Sequence, residues 1–504
     1  MRKAVIFLFI SLFLVVSCGR ERESGNLNIA VSQDIDSLDA MKSTSRVLRD
    51  ILIGSVYERL FVLEDGKIKN ELASSYEISE DGHHLRISIR DGVAMHDGSL
   101  LDECDVADSL NRYIESYEPA REMVGSARFT PSDGGVEITS ENPLYMFVYL
   151  MSSGPQSAVI ASSESLKENE YGLITEIVGT GPYRLLSFTP GSNIILERFP
   201  SYSSYGNEYD GLAGIKHAYF DTITFNVVPD SSTRRLGLEK GEYDFINDVM
   251  SYDVPGLEKN EDIRLLGGDE SGSIALVFNK KSPLGSSSSF RRAVAYALDY
   301  DGLMKACYGE LGYSIHSDYM EKEQVAFSVS GDPYLKEDLD AARKALMESG
   351  YDGETFRILT SNLSNLDKIA VAAEGMLSRI GIRSKIIVTD WVGFLDARND
   401  ETSYDMFISA FSSVPLPSMK LYLSSSYPGW YESERKDEIM STLIKAESVD
   451  EASSIWKEAQ LFFWSDLPVI VPGHYSTINA SSATIEGIIT EDGNHFWNAK
   501  RKEI

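Results

Sequence analysis

Hydrophobic residues in the first half of the chain follow two different periods. Residues 26–32 (NLNIAVS) and 84–89 (HLRISI) alternate polar and apolar side chains, which predicts strands, and residues 73–79 predict another short strand. Residues 44–61 and 102–116 carry apolar side chains at helical spacing, which predicts amphipathic helices. The first half therefore mixes strands and helices instead of repeating one unit.

The second half contains a clear strand–helix–strand pattern. Residues 354–360 predict a strand, residues 366–380 place their apolar side chains on one helical face, and residues 383–389 predict a second strand. Such a unit implies a parallel pair of strands with a right-handed crossover, and hence an α/β lobe. Further expectations are helices at 338–349, 434–447 and 451–464, a short strand at 468–471 and a surface loop at 282–289 (SPLGSSSS).

Composition narrows the class of protein. A length of 504 residues suggests two or more lobes, and 43% hydrophobic residues suffice for sizeable cores. The formal net charge, 47 − 77 = −30, disfavours a nucleic-acid partner, because binding to phosphate needs basic patches. The three cysteines, Cys18, Cys104 and Cys307, are too few for a disulfide framework. Cys104 and Cys307 are expected either to pair with each other or, more simply, to remain buried free thiols.

The N-terminal segment predicts export and lipidation. Arg2 and Lys3 precede an apolar stretch at 4–16 that is shorter than a membrane-spanning helix, so residues 1–17 are expected to be a signal peptide. The sequence LVVSC ends at Cys18 and resembles the lipobox of bacterial lipoproteins, in which that cysteine is lipidated and becomes the first residue after cleavage. The alternative is an ordinary signal peptide with a chance cysteine. Residues 18–26 are expected to be a tether, with the rest of the chain soluble and extracytoplasmic.

The sequence offers little catalytic chemistry. It lacks a GxSxG elbow, an HExxH helix, a GxxxxGK[ST] loop and a GxGxxG turn, and none of its seven histidines forms a pair at i, i+4. The acidic run from Asp34 to Asp39 lacks the glycine and the distal glutamate of a calcium loop, so an ordinary carboxylate cluster is the preferred interpretation. We therefore expect binding without turnover, with no catalytic residue, no metal and no cofactor.

Several sequence blocks, taken together and in order, resemble one family over residues 27 to about 490. The blocks are the segment that runs from VYERLF at residue 56 to DVADSL at residue 110, then GTGPY (179–183), GEYDFIND (241–248), ALVFNKKSPLG (275–285) with RRAVAYALDYDGL (291–303), LDAARKALMESGY (339–351), DWVGFLDAR (390–398) and DLPVIVP (466–472). The family is the bacterial extracellular solute-binding proteins of family 5, the oligopeptide- and dipeptide-binding lipoproteins of ABC importers. One such block alone would be weak evidence for the family, but the whole series in the same order is a specific resemblance to it.

The resemblance implies a fold and a domain organisation. It predicts a two-lobed periplasmic-binding-protein-like α/β fold of type II, with two hinge strands, a ligand cleft and an extra subdomain. The first lobe is expected at 27–270 plus 476–504, with the extra subdomain at about 59–175, and the second lobe at 271–475.

The resemblance also implies a function. A small solute, expected to be a peptide, is captured between the lobes and delivered to an ABC permease in the cytoplasmic membrane. The protein is expected to act as a monomer, attached to the membrane only through its N-terminal lipid. Alternatives are the same role with an oligosaccharide or a metal chelate, a secreted glycan-active enzyme, or a receptor-coupled solute sensor.

Candidate ligand-binding residues follow from the resemblance by position. They are Ser32, Gln33, Asp34, Asn247, Asp248, Trp391, Arg398, Phe411, Ser412, Ser413, Val414 and Tyr475. Trp391 is expected on a cleft wall, with a helix-start core position as the alternative. Arg398 is expected either to clamp a ligand carboxylate or to be a solvated surface charge.

One position departs from the pattern of the family's peptide binders. In those proteins an aspartate beyond the strand equivalent to residues 405–409 pairs with the α-ammonium group of the ligand. Here that position falls on Val414, and no acid occurs before the next predicted helix. Because an enclosed ammonium without a partner is costly, a free peptide N-terminus is expected to bind poorly unless Asp34 or Asp248 reaches it. Blocked peptides, oligosaccharides and other uncharged solutes are therefore expected as possible ligands alongside plain peptides.

Overall fold

The computed structural model describes residues 25–502, except residues 36, 44, 65, 153–155, 169–175, 207 and 323 and the side chains of residues 268 and 269. The predicted signal peptide, Cys18 and most of the predicted tether lie outside the described residues. Within the described part of the chain, no helix is both long enough and apolar enough to cross a membrane.

Strands occur along the whole described chain. They are β1 (Asn26–Val31), β2 (Phe61–Glu64), β3 (Lys67–Asn70), β4 (Ala73–Ile78), β5 (His84–Ile89), β6 (Thr130–Ser132), β7 (Gly135–Thr139), β8 (Tyr183–Thr189), β9 (Asn193–Arg198), β10 (Tyr209–Asp210), β11 (Ala213–Gly214), β12 (Thr222–Val227), β13 (Phe245–Ile246), β14 (Ile263–Phe278), β15 (Tyr313–Ser314), β16 (Thr355–Ser361), β17 (Arg383–Thr389), β18 (Met406–Ser412), β19 (Val469–Ser482), β20 (Ile485–Glu486) and β21 (Lys500–Arg501).

Helices are interspersed with these strands. They are α1 (Arg46–Leu52), α2 (Glu103–Ser116), α3 (Glu118–Val124), α4 (Tyr145–Met151), α5 (Ser163–Glu168), α6 (Ser231–Glu239), α7 (Val254–Leu257), α8 (Pro283–Ser286), α9 (Ser288–Ala297), α10 (Tyr300–Tyr308), α11 (Leu339–Ser349), α12 (Leu366–Ser378), α13 (Trp391–Ala397), α14 (Glu434–Ile444) and α15 (Val449–Asp466). The predicted α/β class is confirmed.

One large sheet runs through the molecule in the order β17-β16-β18-β14-β19-β13-β1-β12-β9-β8, with β15 added beside β19. β14 and β19 are long antiparallel neighbours in its middle. The first part of β14 lies in the half that contains β13 and β1, and its last part pairs with β18 in the other half. The two strands thus connect the two lobes, and their register shifts fall between Gly267 and Leu276.

A smaller sheet stands apart from the large one, within the segment predicted as the extra subdomain. Its order is β4-β5-β7-β6, all antiparallel, and α2 packs on β6 and β7. α2 begins with a capping box. The Asp102 side chain accepts a hydrogen bond from the Asp105 N–H, and the Asp105 side chain accepts one from the Asp102 N–H. This local signal explains why the sequence located the start of α2 to within one residue.

The strand–helix–strand prediction in the second half is confirmed. β16 and β17 are parallel neighbours joined by α12, and β16 also pairs in parallel with β18. α11 begins after the N-cap Asp338 and ends at Gly350, which takes a left-handed conformation with a φ of 73°. These boundaries agree with the sequence because each is set by residues next to one another in the chain.

Three element predictions were wrong in extent or type. The helix predicted at 44–61 ends at Leu52, because Gly54 has a φ of 76° and the segment after it enters the core as irregular chain. The serine-rich loop predicted at 282–289 instead starts two helices, since the Ser282 and Ser287 hydroxyls accept from the N–H groups of Gly285 and Phe290.

The third correction concerns β19. The strand predicted at 468–471 continues to Ser482, because it must cross from one lobe to the other beside β14. Pro472, which has no N–H to donate, lies where the pairing register shifts between Ile274 and Leu276. The strand predicted from the sequence ends just before this proline. In the structure the strand pairing with β14 continues beyond the proline after an irregular step.

The two remaining cysteines do not pair. Cys104 is exposed and Cys307 is buried, and both are free thiols. Burial raises the pKa of the Cys307 thiol to about 12, so it is unreactive at neutral pH. Of the two alternatives left by the sequence, free thiols are therefore correct, although only one of them is buried.

Candidate functional site

Three predicted site residues meet at one edge of the large sheet. Ser32 follows β1, and Asn247 and Asp248 follow β13, which is its parallel neighbour. The Ser32 N–H donates to Asn247 Oδ1 at 2.8 Å, and the Ser32 hydroxyl donates to the Asp248 carboxylate. Asp248 has a φ of 51°, a backbone conformation uncommon for residues other than glycine.

A cation that the sequence interpretation missed completes this group. Arg46, the first residue of α1, places Nη2 3.2 Å from Asp248 Oδ1, and its Nη1 donates to the Thr477 hydroxyl of β19. Thr477 in turn lies 2.9 Å from the Ser271 hydroxyl of β14. The side chains of Arg46 and Asp248 remain 28% and 38% exposed. Arg46 and Asp248 therefore form a polar surface beside the two hinge strands, here called the floor. Solvent can still reach it.

The other two residues predicted after β1 point elsewhere. Asp34 accepts from the Gly191 N–H at 2.5 Å and from the Ile35 N–H at 2.9 Å, so its carboxylate is engaged with the turn between β8 and β9. Gln33 is exposed. The structure brings neither of them into the hydrogen-bonded group around Asp248.

The loop after β18 contacts the hinge strand β14. The Ser413 N–H donates to Ser271 O at 2.9 Å, and its hydroxyl donates to Glu321 Oε2 at 3.1 Å. Glu321 is fully buried and pairs with the buried Lys420 at 3.0 Å. Val414 accepts at its carbonyl from Gln324 at 2.5 Å, and Ser412 is exposed. The carboxylate nearest this loop is thus already neutralised from within the protein.

Aromatic side chains are grouped around Phe411, near the end of β18. Phe411 contacts the ring of Tyr427 edge-on, with centroids 6.0 Å apart, and Arg398 Nη1 donates to the Tyr427 hydroxyl at 2.7 Å. Arg398 is therefore partly buried against a ring and not a solvated surface charge. Trp391 is 38% exposed and stacks on Phe394 at 5.4 Å, which excludes the core alternative.

Tyr475 connects this wall to the hinge strand β19. Its hydroxyl donates to Phe411 O at 3.5 Å, and its ring stacks on Tyr308 with centroids 6.0 Å apart. Burial raises the pKa of Tyr475 to about 12, so the hydroxyl stays protonated and keeps donating near neutral pH.

Side-chain contacts join two distant parts of the molecule. The Tyr117 hydroxyl, directly after α2, lies 3.8 Å from Met419 Sδ, and the ring of Tyr149 in α4 contacts that of Phe327 with centroids 5.8 Å apart. These contacts join the segment predicted as the extra subdomain to the half that contains β16–β18.

A second polar group lies at the hinge strands. His316 Nε2 is 3.0 Å from Glu270 Oε1, and the His474 ring stacks on the His316 ring at a centroid distance of 4.0 Å. No local spacing in the sequence signals this arrangement, because 158 residues separate the two histidines (474 − 316). Its donor set is one that a metal ion accepts.

Known proteins resemble the chain over nearly its full length. The sequence pattern described as "Bacterial extracellular solute-binding proteins, family 5 Middle" matches residues 67–433. The glutathione-binding protein GsiB of Shigella dysenteriae is 24% identical over 524 aligned residues, covering 99% of this chain and 98% of GsiB.

Solved structures share the fold. The substrate-binding protein CtaP of an ABC transporter of Listeria monocytogenes superposes with a TM-score of 0.83 at 21% identity, covering 96% of this chain and 100% of CtaP. A dipeptide-binding protein of Pseudoalteromonas sp. SM9913 in complex with Met-Leu gives 0.74 at 20% identity, covering 95% and 100%. The chain therefore belongs to the bacterial extracellular solute-binding proteins of family 5, the substrate-binding proteins of ABC importers, and has their two-lobed fold.

Proposed function

We propose that the chain captures a short peptide with free termini between its lobes and delivers it to an ABC permease. The observation that carries the proposal is the Arg46–Asp248 pair at the cleft floor. A guanidinium is well suited to a carboxylate, and a carboxylate is the natural partner of an ammonium group. Because a partly exposed ion pair is worth only about 0–1 kcal/mol, both groups can turn to a zwitterionic ligand at little cost.

The aromatic side of the cleft suits the rest of such a ligand. Phe411, Tyr427 and the exposed face of Trp391 offer apolar area that accepts different side chains. Two relatives with named ligands support the same class: one binds glutathione, and another was solved with the dipeptide Met-Leu. Others were solved with agropinic acid and with Ni(L-His)2.

The lobe boundaries proposed from the sequence fit this role. We place the first lobe at 27–270 plus 476–504 and the second at 271–475. The register shifts of β14 between Gly267 and Leu276 support this division, because irregular pairing makes the crossing strands easier to bend than a regular ladder. Closure around the solute would then bend these strands while each lobe moves as a unit.

The proposal predicts a large thermal shift with the correct peptide. A solute present at 100 times its dissociation constant stabilises the folded state by roughly 2.7 kcal/mol, since it binds only that state. Thermal melts should be recorded with di-, tri- and tetrapeptides, glutathione, oligosaccharides and metal chelates. A shift with a peptide and none with the sugars is expected. No shift with any class, for protein that mass spectrometry shows to be empty, would contradict the proposal.

We also propose that the protein is attached to the membrane through a lipid on Cys18. Because lipidation needs the thiol, Cys18→Ser should move the protein from the membrane to the soluble fraction, or leave an unprocessed precursor of higher mass. Cys104→Ser is the matched control, since that thiol is exposed and lies outside the lipobox. Membrane association of Cys18→Ser with unchanged mass would rule out the anchor.

A further inference from the structure

Three side chains from distant parts of the sequence meet where β14 and β19 cross between the lobes. Glu270 lies in β14 between two register shifts, His474 lies in β19 opposite Ser314, and His316 follows β15 by two residues. In the part of the chain that the structure describes, this is the one group of three His, Cys, Asp or Glu residues found close enough to hold a metal ion.

The three side chains are close enough to share an ion once one imidazole turns, because the two stacked rings now lie parallel and their in-plane lone pairs do not converge. One potential ligand atom from each residue lies within 4.8 Å of the other two, and His316 Nε2 is 3.0 and 3.1 Å from the two Glu270 oxygens. Nitrogen and oxygen ligands at about 2.0–2.2 Å from one zinc ion lie roughly 3–3.5 Å from each other. The His316–Glu270 separation therefore fits a shared ion as well as a hydrogen bond.

His474 is the observation that points to a ligand. It is fully buried, and neither of its ring nitrogens has a hydrogen-bond partner of good geometry among the described residues, although the His316 backbone lies close to the ring. A buried polar group without a partner typically costs about 1–3 kcal/mol, so such a side chain needs an explanation.

We propose that Glu270, His316 and His474 bind a divalent transition-metal ion of the Zn²⁺ type at the hinge. Two imidazoles and one carboxylate are ligands that zinc and its neighbours in the first transition series accept, and a three-ligand site leaves a position for water. His316 is 26% exposed on its side chain, which gives the ion a path from solvent. An ion held there would brace β14 and β19 at the point where they pass between the lobes.

The surroundings of Glu270 support and limit this site. The Ser314 hydroxyl and the Lys322 N–H, the latter at 2.9 Å, donate to the carboxylate and fix its orientation, as outer partners of metal ligands commonly do. Lys322 Nζ lies 3.6 Å from Glu270 Oε1 and competes with a cation, but its side chain is 60% exposed and can move away. Removal of this charge should therefore strengthen metal binding.

The test uses full-length protein without a polyhistidine tag, from which metal has been removed. Zn²⁺ binding is measured by titration against a chelating indicator, and Co²⁺ binding is measured by visible absorption. The wild type should bind one equivalent, and Co²⁺ should give the d–d bands of an ordered site. His316→Asn and Glu270→Gln should weaken Zn²⁺ binding at least tenfold and abolish the bands, since even outer partners of a metal site contribute 10- to 100-fold. His217→Asn, which lies outside the group, is the matched control and should change neither.

Lys322→Met separates a metal site from a merely structural cluster. It should tighten Zn²⁺ binding several-fold, because it removes a positive charge beside a ligand, whereas general loss of structure would weaken binding. His474→Ala should also weaken Zn²⁺ binding. If that variant does not fold, His316→Asn still tests the proposal, because His316 is more exposed than His474. The proposal is overturned if the wild type binds no stoichiometric ion, if it gives no Co²⁺ bands, or if His316→Asn binds Zn²⁺ as tightly as the wild type.

Discussion

Lys216→Met is expected to lower the free energy of unfolding by about 3–5 kcal/mol, the range typical of removing one partner from a buried ion pair. The Lys216 side chain is 1% exposed, with Nζ 3.2 Å from Glu58 Oε1 and also bonded to the Glu71 carboxylate. Both glutamates are buried. Methionine fills a similar volume but leaves two buried carboxylates facing each other without a cation.

Lys216, Glu58 and Glu71 contact residues from several segments of the chain, so the loss of the lysine affects all of these segments. Glu58 also accepts from the hydroxyls of Tyr202 at 2.8 Å and Thr180 at 2.9 Å, and Glu71 accepts from the Arg59 N–H at 2.8 Å. The group therefore links the entry to the extra subdomain with the GTGPY turn. At that turn a side chain on Gly181 would come within 2.3 Å of a backbone carbonyl, so the close packing leaves little room to relax.

Urea denaturation of matched variants measures the effect. Lys305→Met is the control, because its ion pair with Asp301 is exposed to solvent and should contribute little to stability. Adding Glu71→Gln to Lys216→Met should recover part of the lost stability, since it removes one uncompensated charge. The account fails if Lys216→Met costs no more than Lys305→Met.

Local patterns predicted those elements whose ends are set by neighbouring residues. The β16–α12–β17 unit and α11 are examples, since apolar spacing, an N-cap aspartate and a left-handed glycine all lie within a few residues of each other. The prediction at 44–61 failed for the opposite reason. Apolar spacing continued beyond Leu52, but the chain turned at Gly54 against the ring of Trp497, which is more than 400 residues away in sequence.

The same distinction applies to the sites. Ser32, Asn247 and Asp248 could be placed because they follow strands that the family pattern puts side by side. Arg46 could not, since its partners are 202 and 431 residues away, and nothing near it in sequence distinguishes it from a surface arginine. The pairing of Glu321 with Lys420 and the meeting of His316 with His474 likewise depend on tertiary structure alone.

Removing the Asp248 charge is expected to abolish a preference for peptides with a free N-terminus. The proposed function assigns the ligand ammonium to Asp248, and loss of one partner of an enclosed charge pair costs about 2–5 kcal/mol. Asp248→Asn should therefore weaken binding of a free peptide by at least about 30-fold, and leave binding of the acetylated peptide nearly unchanged. Calorimetric titration of matched free and acetylated peptides measures both.

Asp34→Asn is the matched control, because Asp34 is the other candidate left by the sequence. The Asp34 carboxylate is occupied by two backbone N–H groups, whereas Asp248 lies beside Arg46 at the floor. Glu321 is no substitute, because Lys420 already neutralises it. The free-amine preference should therefore survive Asp34→Asn and disappear in Asp248→Asn. If it survives both changes, the ammonium has another partner and this account of the floor is wrong; if free and acetylated peptides bind the wild type equally, the ligand's amine is not recognised.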